Sequence, residues 1–351
     1  MSNERDVSYI SRKMRVLSLF AAFAIVFLHS GRIAGLEHQS AWCQQLVDIC
    51  TQKMTCWAVP FFFCMAGYWF AVGRYDGYVP FLKKKFRSLV IPYFGFALIA
   101  LVVSTPVVVA ANIAAHRALL SNTVAASGEV WTTLNNIFAF TIVEPKQLGV
   151  LWFIRTLFFL FLLAPLYQII VRKCPILFLA FFIIMEIFYP GCDIPHFPIW
   201  FGAALWLYLG MFFGAWGSGA LLRRVSFPLP VAVVILALAI TTSFLHFPCC
   251  EFVTKLLFIA GIWYLYDTIE CHLPEKLPQF FYWSFWIYCT HNIFMTYVLA
   301  GLRFALGKSD IVIACLPFVA TSIVLSCCIL VAFGLNRIYP RGFAVLCGGR
   351  A

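Results

Sequence analysis

The chain has 351 residues, of which 63% are hydrophobic and only 11% are charged, with a net charge of +11. Soluble domains carry about 25% charged residues, so this chain lacks the polar side chains that a water-facing surface needs. The composition excludes a soluble globular protein and predicts a polytopic membrane protein, in which the basic excess reflects membrane topology and nucleic acid is not an expected partner.

Apolar runs predict ten membrane-spanning helices of about 20 residues each. Their predicted ranges are 14–33, 54–73, 89–111, 148–170, 175–190, 198–216, 227–245, 251–267, 281–302 and 311–335. The predicted fold class is therefore all-α, with one membrane-embedded domain over residues 1–351 and no fused soluble domain. The longest predicted loop, 112–147, is expected to carry a short interfacial helix near Trp131. Cys43, Cys50 and Cys56 share another predicted loop, where a disulfide is one open alternative.

Lysine and arginine positions indicate the orientation. With the N-terminus in the cytosol, seventeen of the 25 basic residues fall on the inner side, seven fall on the outer side, and Arg155 lies within a span. Because inner loops of membrane proteins are enriched in Lys and Arg, both termini are predicted to be cytoplasmic.

The first predicted span closes with the stretch AIVFLHSGR, residues 24–32. An ionisable side chain in hydrocarbon costs roughly 3 kcal/mol unless it is paired or faces water, so His29 is a candidate site residue. Ser18 lies about three helical turns before it and Arg15 about four, which puts the three on one helix face within about 40°. A neutral imidazole can act as a general base near pH 7, and a histidine bonded to a neighbouring helix is the alternative.

Further polar residues fall in the later spans. Arg155 is predicted at the depth of His29, and it either joins the site or pairs with Glu186. His291 has Tyr288 one turn before it and is equally open to a packing role or a site role. Lys255 is expected to extend to the membrane interface. These positions together predict a polar cavity open to the outside, and no cluster with metal-ligand spacing predicts a metal site.

The strongest basic cluster is RYDGYVPFLKKKFRSLVIPY, residues 74–93. Lys84 and Arg87 are predicted one helical turn apart, and two cations on one face suit a ligand that carries phosphates. Anionic lipid headgroups are the competing explanation. A short outer loop with Asp193 and His196 is expected to be solvated.

These segments resemble, in the same order, the acyltransferase-3 family of bacterial membrane acyltransferases. The segments that carry the resemblance are LSLFAAFAIVFLHSG, AVPFFFCMAGYWFA, LKKKFRSLVIPYF, LWFIRTLFF and SFWIYCTHNIF, and it covers nearly the whole chain. The resemblance implies an O-acyltransferase of the bacterial cytoplasmic membrane. Such an enzyme moves an acyl group, most often acetyl from cytosolic acetyl-CoA, to a hydroxyl of an extracytoplasmic sugar, glycan or glycolipid.

The resemblance also implies roles for individual residues. The histidine of the family's first-span motif maps onto His29, whereas its basic residue maps onto Ser18, and our hypothesis is that Arg15 replaces that cation. The family's R-x-x-R pair is represented by Lys84 and Arg87. These two residues and Arg15 are the predicted acyl-CoA-binding residues.

In this scheme His29 either deprotonates the acceptor hydroxyl or carries the acyl group covalently. Arg155 stabilises the oxyanion or orients the acceptor. Aromatic residues that could stack on sugar rings are Trp131, Trp152, Trp200 and Tyr288. Transfer is either direct or completed by a separate periplasmic protein. The alternative function is a transporter or flippase of a glycolipid or small polar molecule, but no matched pair of broken spans favours it.

Overall fold

The computed structural model describes residues 2–33, 36–73, 75–114, 116, 149–188, 201–217, 229–245, 247 and 249–350. Within these ranges the chain is helical and contains no strand. The helices are α1 (Ser2–Ser30), α2 (Ala41–Asp48), α3 (Ala58–Val72), α4 (Tyr78–Lys85), α5 (Ile91–Ala114), α6 (Trp152–Leu162), α7 (Ala164–Lys173), α8 (Pro175–Phe188), α9 (Phe201–Trp216), α10 (Leu229–Thr242), α11 (Cys250–Ile269), α12 (Ser284–Leu306), α13 (Asp310–Ile338) and α14 (Pro340–Leu346). The predictions for Trp131, Trp200, Asp193 and His196 fall outside the described residues.

Helix length and composition identify a membrane protein. Five segments of the described chain are long and apolar enough to cross a bilayer, and a bent helix pair raises the number to six. The five are Ser8–Ser30, Ala41–Val72, Tyr78–Ala110, Cys250–His272 and Asp310–Ile338, and the shorter apolar helices are Pro175–Phe188, Gly202–Trp216 and Leu229–Thr242. The 23-residue α12 is of comparable length and carries polar residues in its interior. The prediction of an all-α membrane fold is therefore confirmed.

Helix α1 begins well before the apolar run that predicted it. Residues 2–13 contain neither Gly nor Pro and include the helix-favouring residues Glu4, Arg5 and Arg12, so the helix extends to Ser2. Its 29 residues rise about 44 Å, which exceeds the roughly 30 Å hydrocarbon core of a bilayer. The polar first turns therefore extend beyond the apolar part of the bundle.

The segment predicted as one span over 148–170 consists of two helices with a bend between them. Helices α6 and α7 meet at a bend of 66°, with Leu163 between them. Pro165 lies in the first turn of α7. Proline has no amide hydrogen and its ring clashes with the preceding turn, which favours a bend at this point.

Two predicted loops are helical. A π-helical turn, Ile49–Lys53, follows α2 and leads by a short turn to α3, so the cysteine-containing segment belongs to a helical span. Cys43, Cys50 and Cys56 are free thiols there. A second π-helical turn, Phe86–Val90, joins α4 to α5, so the basic cluster also lies on a helix.

Helix α1 lies at the centre of the bundle, where it packs against α3, α11, α12 and α13. Helices α3 and α9 pack closely against each other, and glycines permit that approach. A Cβ atom on Gly67 would lie 1.9 Å from the carbonyl oxygen of Leu207, and one on Gly210 would lie 1.9 Å from that of Cys64. Gly210 and Gly214 form a G-x-x-x-G pattern, which allows membrane helices to pack backbone against backbone.

Candidate functional site

Two histidines from the central helices face each other. His29 lies in the last turn of α1, and His291 lies in α12, which packs against α1. Their ring centroids are 5.1 Å apart, and their planes are inclined by 43°. The structure thus brings together two residues that are 262 positions apart in the chain.

Backbone carbonyls determine the tautomer of His291. Its Nδ1 lies 2.7 Å from the carbonyl oxygen of Tyr288 and 3.1 Å from that of Ile287. Carbonyl oxygens only accept hydrogen bonds, so Nδ1 must carry the hydrogen, and in a neutral ring the lone pair then lies on Nε2. Among the described residues, that buried Nε2 has no hydrogen-bond partner, and neither does the buried Nδ1 of His29.

The two unpartnered nitrogens have complementary capacities. If Nδ1 of His29 carries the hydrogen of its neutral ring, it is a donor that Nε2 of His291 can accept, and Nε2 of His29 then keeps its lone pair. A nitrogen in that state is the base or nucleophile that acyl transfer needs. The partner nitrogen on His291 would hold His29 in the reactive tautomer, as the third member of a catalytic triad does.

A cluster of aromatic side chains lies beside the histidine pair and reaches it through Tyr288. The hydroxyl of Tyr288 donates to the carbonyl oxygen of Val150, which ties α12 to the turn before α6. Its ring lies 5.4 Å from that of Phe153 and 6.2 Å from that of His291. Trp152 packs against Phe63 at 6.3 Å. Of the residues predicted to line the site, Tyr288 therefore lies beside the histidine pair, and Trp152 lies in the aromatic cluster that Tyr288, Phe153 and Phe63 form.

Arg32 lies at the outer end of the first predicted span and, by sequence alone, is one of the outer charges. It interacts electrostatically with both His29 and His291. Gly31, which precedes Arg32, packs directly against Thr51: a Cβ atom added to this glycine would lie 2.1 Å from the Oγ1 atom of Thr51. The close approach of the π-helical turn Ile49–Lys53 thus holds the chain that leaves α1, and it places Arg32 near the pair.

A second polar region lies toward the other end of α1. Arg15 and Ser18 line one cavity of about 540 Å³ together with Met65 and Trp69. The guanidinium carbon of Arg15 lies 3.9 Å from the ring centroid of Tyr282. Ser18 donates to the carbonyl oxygen of Met14 at 2.5 Å, and its hydroxyl is 2.9 Å from Sδ of Met65. The rise of α1 separates Ser18 from His29 by about 17 Å.

Arg350 connects this cavity to the basic cluster and was not predicted as a site residue. It lines the cavity, its Nη1 donates to the carbonyl oxygen of Ser88 at 3.2 Å, and its guanidinium carbon lies 4.3 Å from the centroid of the Phe285 ring. Ser88 directly follows Arg87 in the π-helical turn. Lys84 and Arg87 are exposed and are not among the residues that line this cavity in the described chain.

Lys13 is one of the basic residues on the predicted inner side, yet its side chain is completely buried. Its ammonium lies 2.6 Å from a carboxylate oxygen of Asp267 and 4.1 Å from the centroid of a Trp263 ring. Tyr9 donates a hydrogen bond to the same carboxylate. The pair links α1 to α11, and its only sequence signal is one carboxylate inside the apolar segment YLYDTI.

The expected position of Lys255 at the membrane interface is wrong. The residue is 4% exposed, and its ammonium lies 2.6 Å from Glu251 and 3.7 Å from Glu186. The carboxylates hold the lysine inside the protein, because burial of a charge is tolerated when opposite charges lie against it.

Arg155 interacts electrostatically with Tyr93 of α5, whereas the electrostatic neighbours of His29 are His291 and Arg32. The structure therefore groups Arg155 with Tyr93 and Glu186 with Lys255.

Comparison with known proteins gives one match. A family model described as an acyltransferase domain matches residues 14–337, nearly the whole chain. No curated protein and no solved structure matches the chain. The matched range contains Arg15, Ser18 and both histidines.

Proposed function

The chain belongs to the acyltransferase-3 family, and from that premise we propose that it is an integral-membrane O-acyltransferase. It transfers an acyl group, most often acetyl, from cytosolic acyl-CoA to a hydroxyl of an extracytoplasmic sugar, glycan or glycolipid. The observation that carries the proposal is the His29–His291 pair, 5.1 Å between ring centroids, with one unpartnered nitrogen on each ring. The family membership does not favour the alternative of a glycolipid transporter.

The Arg15 end of the bundle faces the cytosol of a bacterial cell in this proposal, as the basic residues indicate. The phosphates of acyl-CoA bind to the exposed Lys84 and Arg87 and to Arg350 and Arg15 beside the cavity. Guanidinium groups suit this role because each can offer two parallel hydrogen bonds to a phosphate. Anionic lipid headgroups compete for the outermost of these cations.

The pantetheine arm then follows α1 from Ser18 toward His29. Its thioester arrives beside the histidine pair, while the acceptor hydroxyl arrives from the opposite end of the bundle. Entry of the donor and the acceptor from opposite ends explains why the His29 imidazole lies in the last turn of α1 and Arg15 lies four turns earlier.

His29 takes the proton of the acceptor hydroxyl on Nε2, and the oxygen attacks the thioester carbonyl carbon. The C–S bond breaks, and the proton held by His29 passes to the leaving sulfur, so free CoA and an ester are formed. In the covalent variant, Nε2 itself attacks the carbonyl carbon, the C–S bond breaks and CoA leaves as the thiolate. The acceptor hydroxyl then attacks the acyl-imidazolium, its proton passes to the CoA thiolate, and the imidazole is released unchanged. Arg155 was predicted to stabilise the oxyanion, and Arg32 is a second candidate because it interacts with both histidines.

The test uses membranes that contain the wild-type chain or a histidine variant, supplied with acetyl-labelled CoA. We expect label to enter glycan or glycolipid with the wild type and to fall by about 100-fold or more with His29→Ala, since a general base contributes 10²–10⁴. His38→Ala is the matched control, because the His38 side chain is 80% exposed and lies outside the pair. Size-exclusion chromatography verifies folding.

Equal transfer by wild type and folded His29→Ala would refute this role for His29. Release of free CoA discriminates between enzyme and transporter, because only the enzyme consumes an acyl donor. If transfer to the final glycan needs an added periplasmic fraction while CoA release does not, a separate protein completes the reaction.

A further inference from the structure

A second large cavity opens at the His29 end of the bundle, apart from the histidine pair. It measures about 720 Å³ and lies between the π-helical turn Ile49–Lys53, the end of α10 and the first turns of α11. Its polar lining comprises carboxylates, an amide, an ammonium and hydroxyls, from Asp48, Gln52, Lys53, Thr242, Ser243, Glu251 and Thr254.

The cavity is joined directly to the end of α1. The side-chain amide of Gln52, which lines the cavity, donates to the carbonyl oxygen of Leu28 at 3.3 Å. Leu28 immediately precedes His29. A ligand held at Gln52 is therefore next to the last turn of α1, where the catalytic imidazole is proposed to act.

Buried charges support one wall of the cavity. Glu251 faces the cavity with a side chain that is 66% exposed, and the buried ammonium of Lys255 lies 2.6 Å from it. Lys255 also lies 3.7 Å from Glu186, whose second oxygen is buried without a partner in the described chain. Ionisable residues inside membrane segments are costly and are usually kept for a function. This network holds the Glu251 carboxylate in a fixed position at the cavity surface.

The lining indicates the chemistry of the ligand. Carboxylate and amide oxygens accept hydrogen bonds from hydroxyls, and threonine and serine hydroxyls can both donate and accept. The lining presents the carboxylates of Asp48 and Glu251 but only one ammonium, that of Lys53, because the Lys255 ammonium lies behind the wall against Glu251 and Glu186. This excess of carboxylates disfavours an anionic ligand. Phe188 and Phe247 add aromatic surface, which matches the apolar C–H faces of a sugar ring. The cavity is thus suited to a neutral polyhydroxylated group.

We propose that this cavity binds the sugar headgroup of the acyl acceptor and presents its hydroxyl to His29. The proposal rests on the acyltransferase function and adds to it the place and the polarity of the acceptor: a neutral sugar, held by Gln52 and Glu251 and bounded by Cys56. Cys56 lines the cavity and has Lys255 and Glu251 as electrostatic neighbours.

The experiment follows maleimide labelling of Cys56 in the full chain, reconstituted in nanodiscs without sugar detergents. The probes are maltotriose, as a free sugar, and glucosyl-diacylglycerol, as a membrane-anchored one, with diacylglycerol as the sugar-free control. At about tenfold excess over the Kd, a bound sugar should slow labelling of Cys56 about tenfold, because only the free fraction reacts. Labelling of the exposed Cys271, which follows the far end of α11 and does not line the cavity, should not change.

Variants identify the binding residues. We expect Gln52→Leu and Glu251→Gln to abolish the protection of Cys56 and to raise the KM for the acceptor, with an unchanged KM for acetyl-CoA. The matched controls are Gln45→Leu and Glu37→Gln, since both residues are exposed and neither lines the cavity.

The outcomes separate the two proposals. Protection by either sugar probe supports the cavity, and it is measured without acyl transfer, so it survives a failure of the proposed function. Protection by only one of the two probes indicates whether the cavity binds a free sugar or a membrane-anchored sugar. The inference is overturned if neither sugar slows labelling of Cys56, or if diacylglycerol slows it equally.

Discussion

At the scale of single residues, the tautomer of His291 is the most consequential detail. Two backbone carbonyls require a hydrogen on its Nδ1, so only Nε2 is available toward His29. A residue in this position acts on the reaction through His29 and is a positioning residue. Its role can be distinguished from simple packing by comparing a substitution that keeps an acceptor with one that removes it.

We expect His291→Phe to lower kcat by about tenfold or more, with little change in the KM for acetyl-CoA, because His29 loses the partner that fixes its tautomer. His291→Gln retains an acceptor oxygen and should recover part of the loss. Steady-state kinetics of both variants, with thermal unfolding as the control for folding, provide the measurement. Equal losses in the two variants would indicate that the ring only fills space.

Arg15 and Ser18 allow a second prediction at this scale. Both line one cavity, and the family's basic residue would map onto Ser18. If Arg15 supplies the missing cation, Arg15→Gln should raise the KM for acyl-CoA, since a charge-assisted hydrogen bond is worth roughly 1.5–3 kcal/mol. Adding Ser18→Arg to that variant should restore binding. A double variant no better than Arg15→Gln would disprove the replacement hypothesis.

The importance of a single residue was predictable where its side chain is unusual inside a membrane. It was not predictable where the role of the residue depends on a partner that is distant in sequence. The sequence indicates His29, His291 and Tyr288 as candidates and places Tyr288 one turn before His291, but the approach of His29 to them comes from the packing of α1 against α12. Lys13 and Arg350 were missed because their contacts, Asp267 and Ser88, are more than 250 positions away. A charge near a span end is indistinguishable in sequence from a topology charge until its partner is known.

At the scale of elements, apolar runs predicted where helices lie, because each run had to be buried in protein or lipid. Changes of helix geometry within or beside an apolar run were not predicted. The bend between α6 and α7 coincides with one proline in a continuous apolar run. The two π-helical turns, ICTQK and FRSLV, carry polar residues, so their sequences are typical of loops. The predicted helix ends also fall short of the observed ones, since α1 and α4 extend beyond the apolar runs into polar sequence.

The α3–α9 contact provides a test at this scale. A Cβ on Gly67 would lie 1.9 Å from backbone, which cannot move away as a flexible side chain can, whereas Gly301 in α12 has no atom within 4 Å. We expect Gly67→Ala to destabilise the protein by about 1–3 kcal/mol through overpacking. Gly301→Ala should be neutral or slightly stabilising, because alanine favours helix. Thermal unfolding in detergent measures both, and equal midpoints would contradict the close packing.

At the scale of the whole molecule, polar groups form two regions at opposite ends of the α1 axis. Arg15, Arg350 and the exposed Lys84 and Arg87 occupy one end, whereas the histidine pair and the 720 Å³ cavity occupy the other. A reaction that joins a cytosolic donor to an extracytoplasmic acceptor needs this separation. It also needs a defined orientation in the membrane, which the basic residues predict.

Native cysteines can measure that orientation. Cys249 and Cys271 are exposed free thiols at opposite ends of α11, and Cys174 is an exposed thiol between α7 and α8. With the N-terminus in the cytosol, an impermeant maleimide should label Cys249 in right-side-out vesicles, and Cys174 and Cys271 only in inverted ones. Variants that keep one of these thiols at a time assign the signals. The reverse pattern would place Arg15 and its cavity outside the cell, where acyl-CoA is absent, and would require the donor to enter from the His29 end.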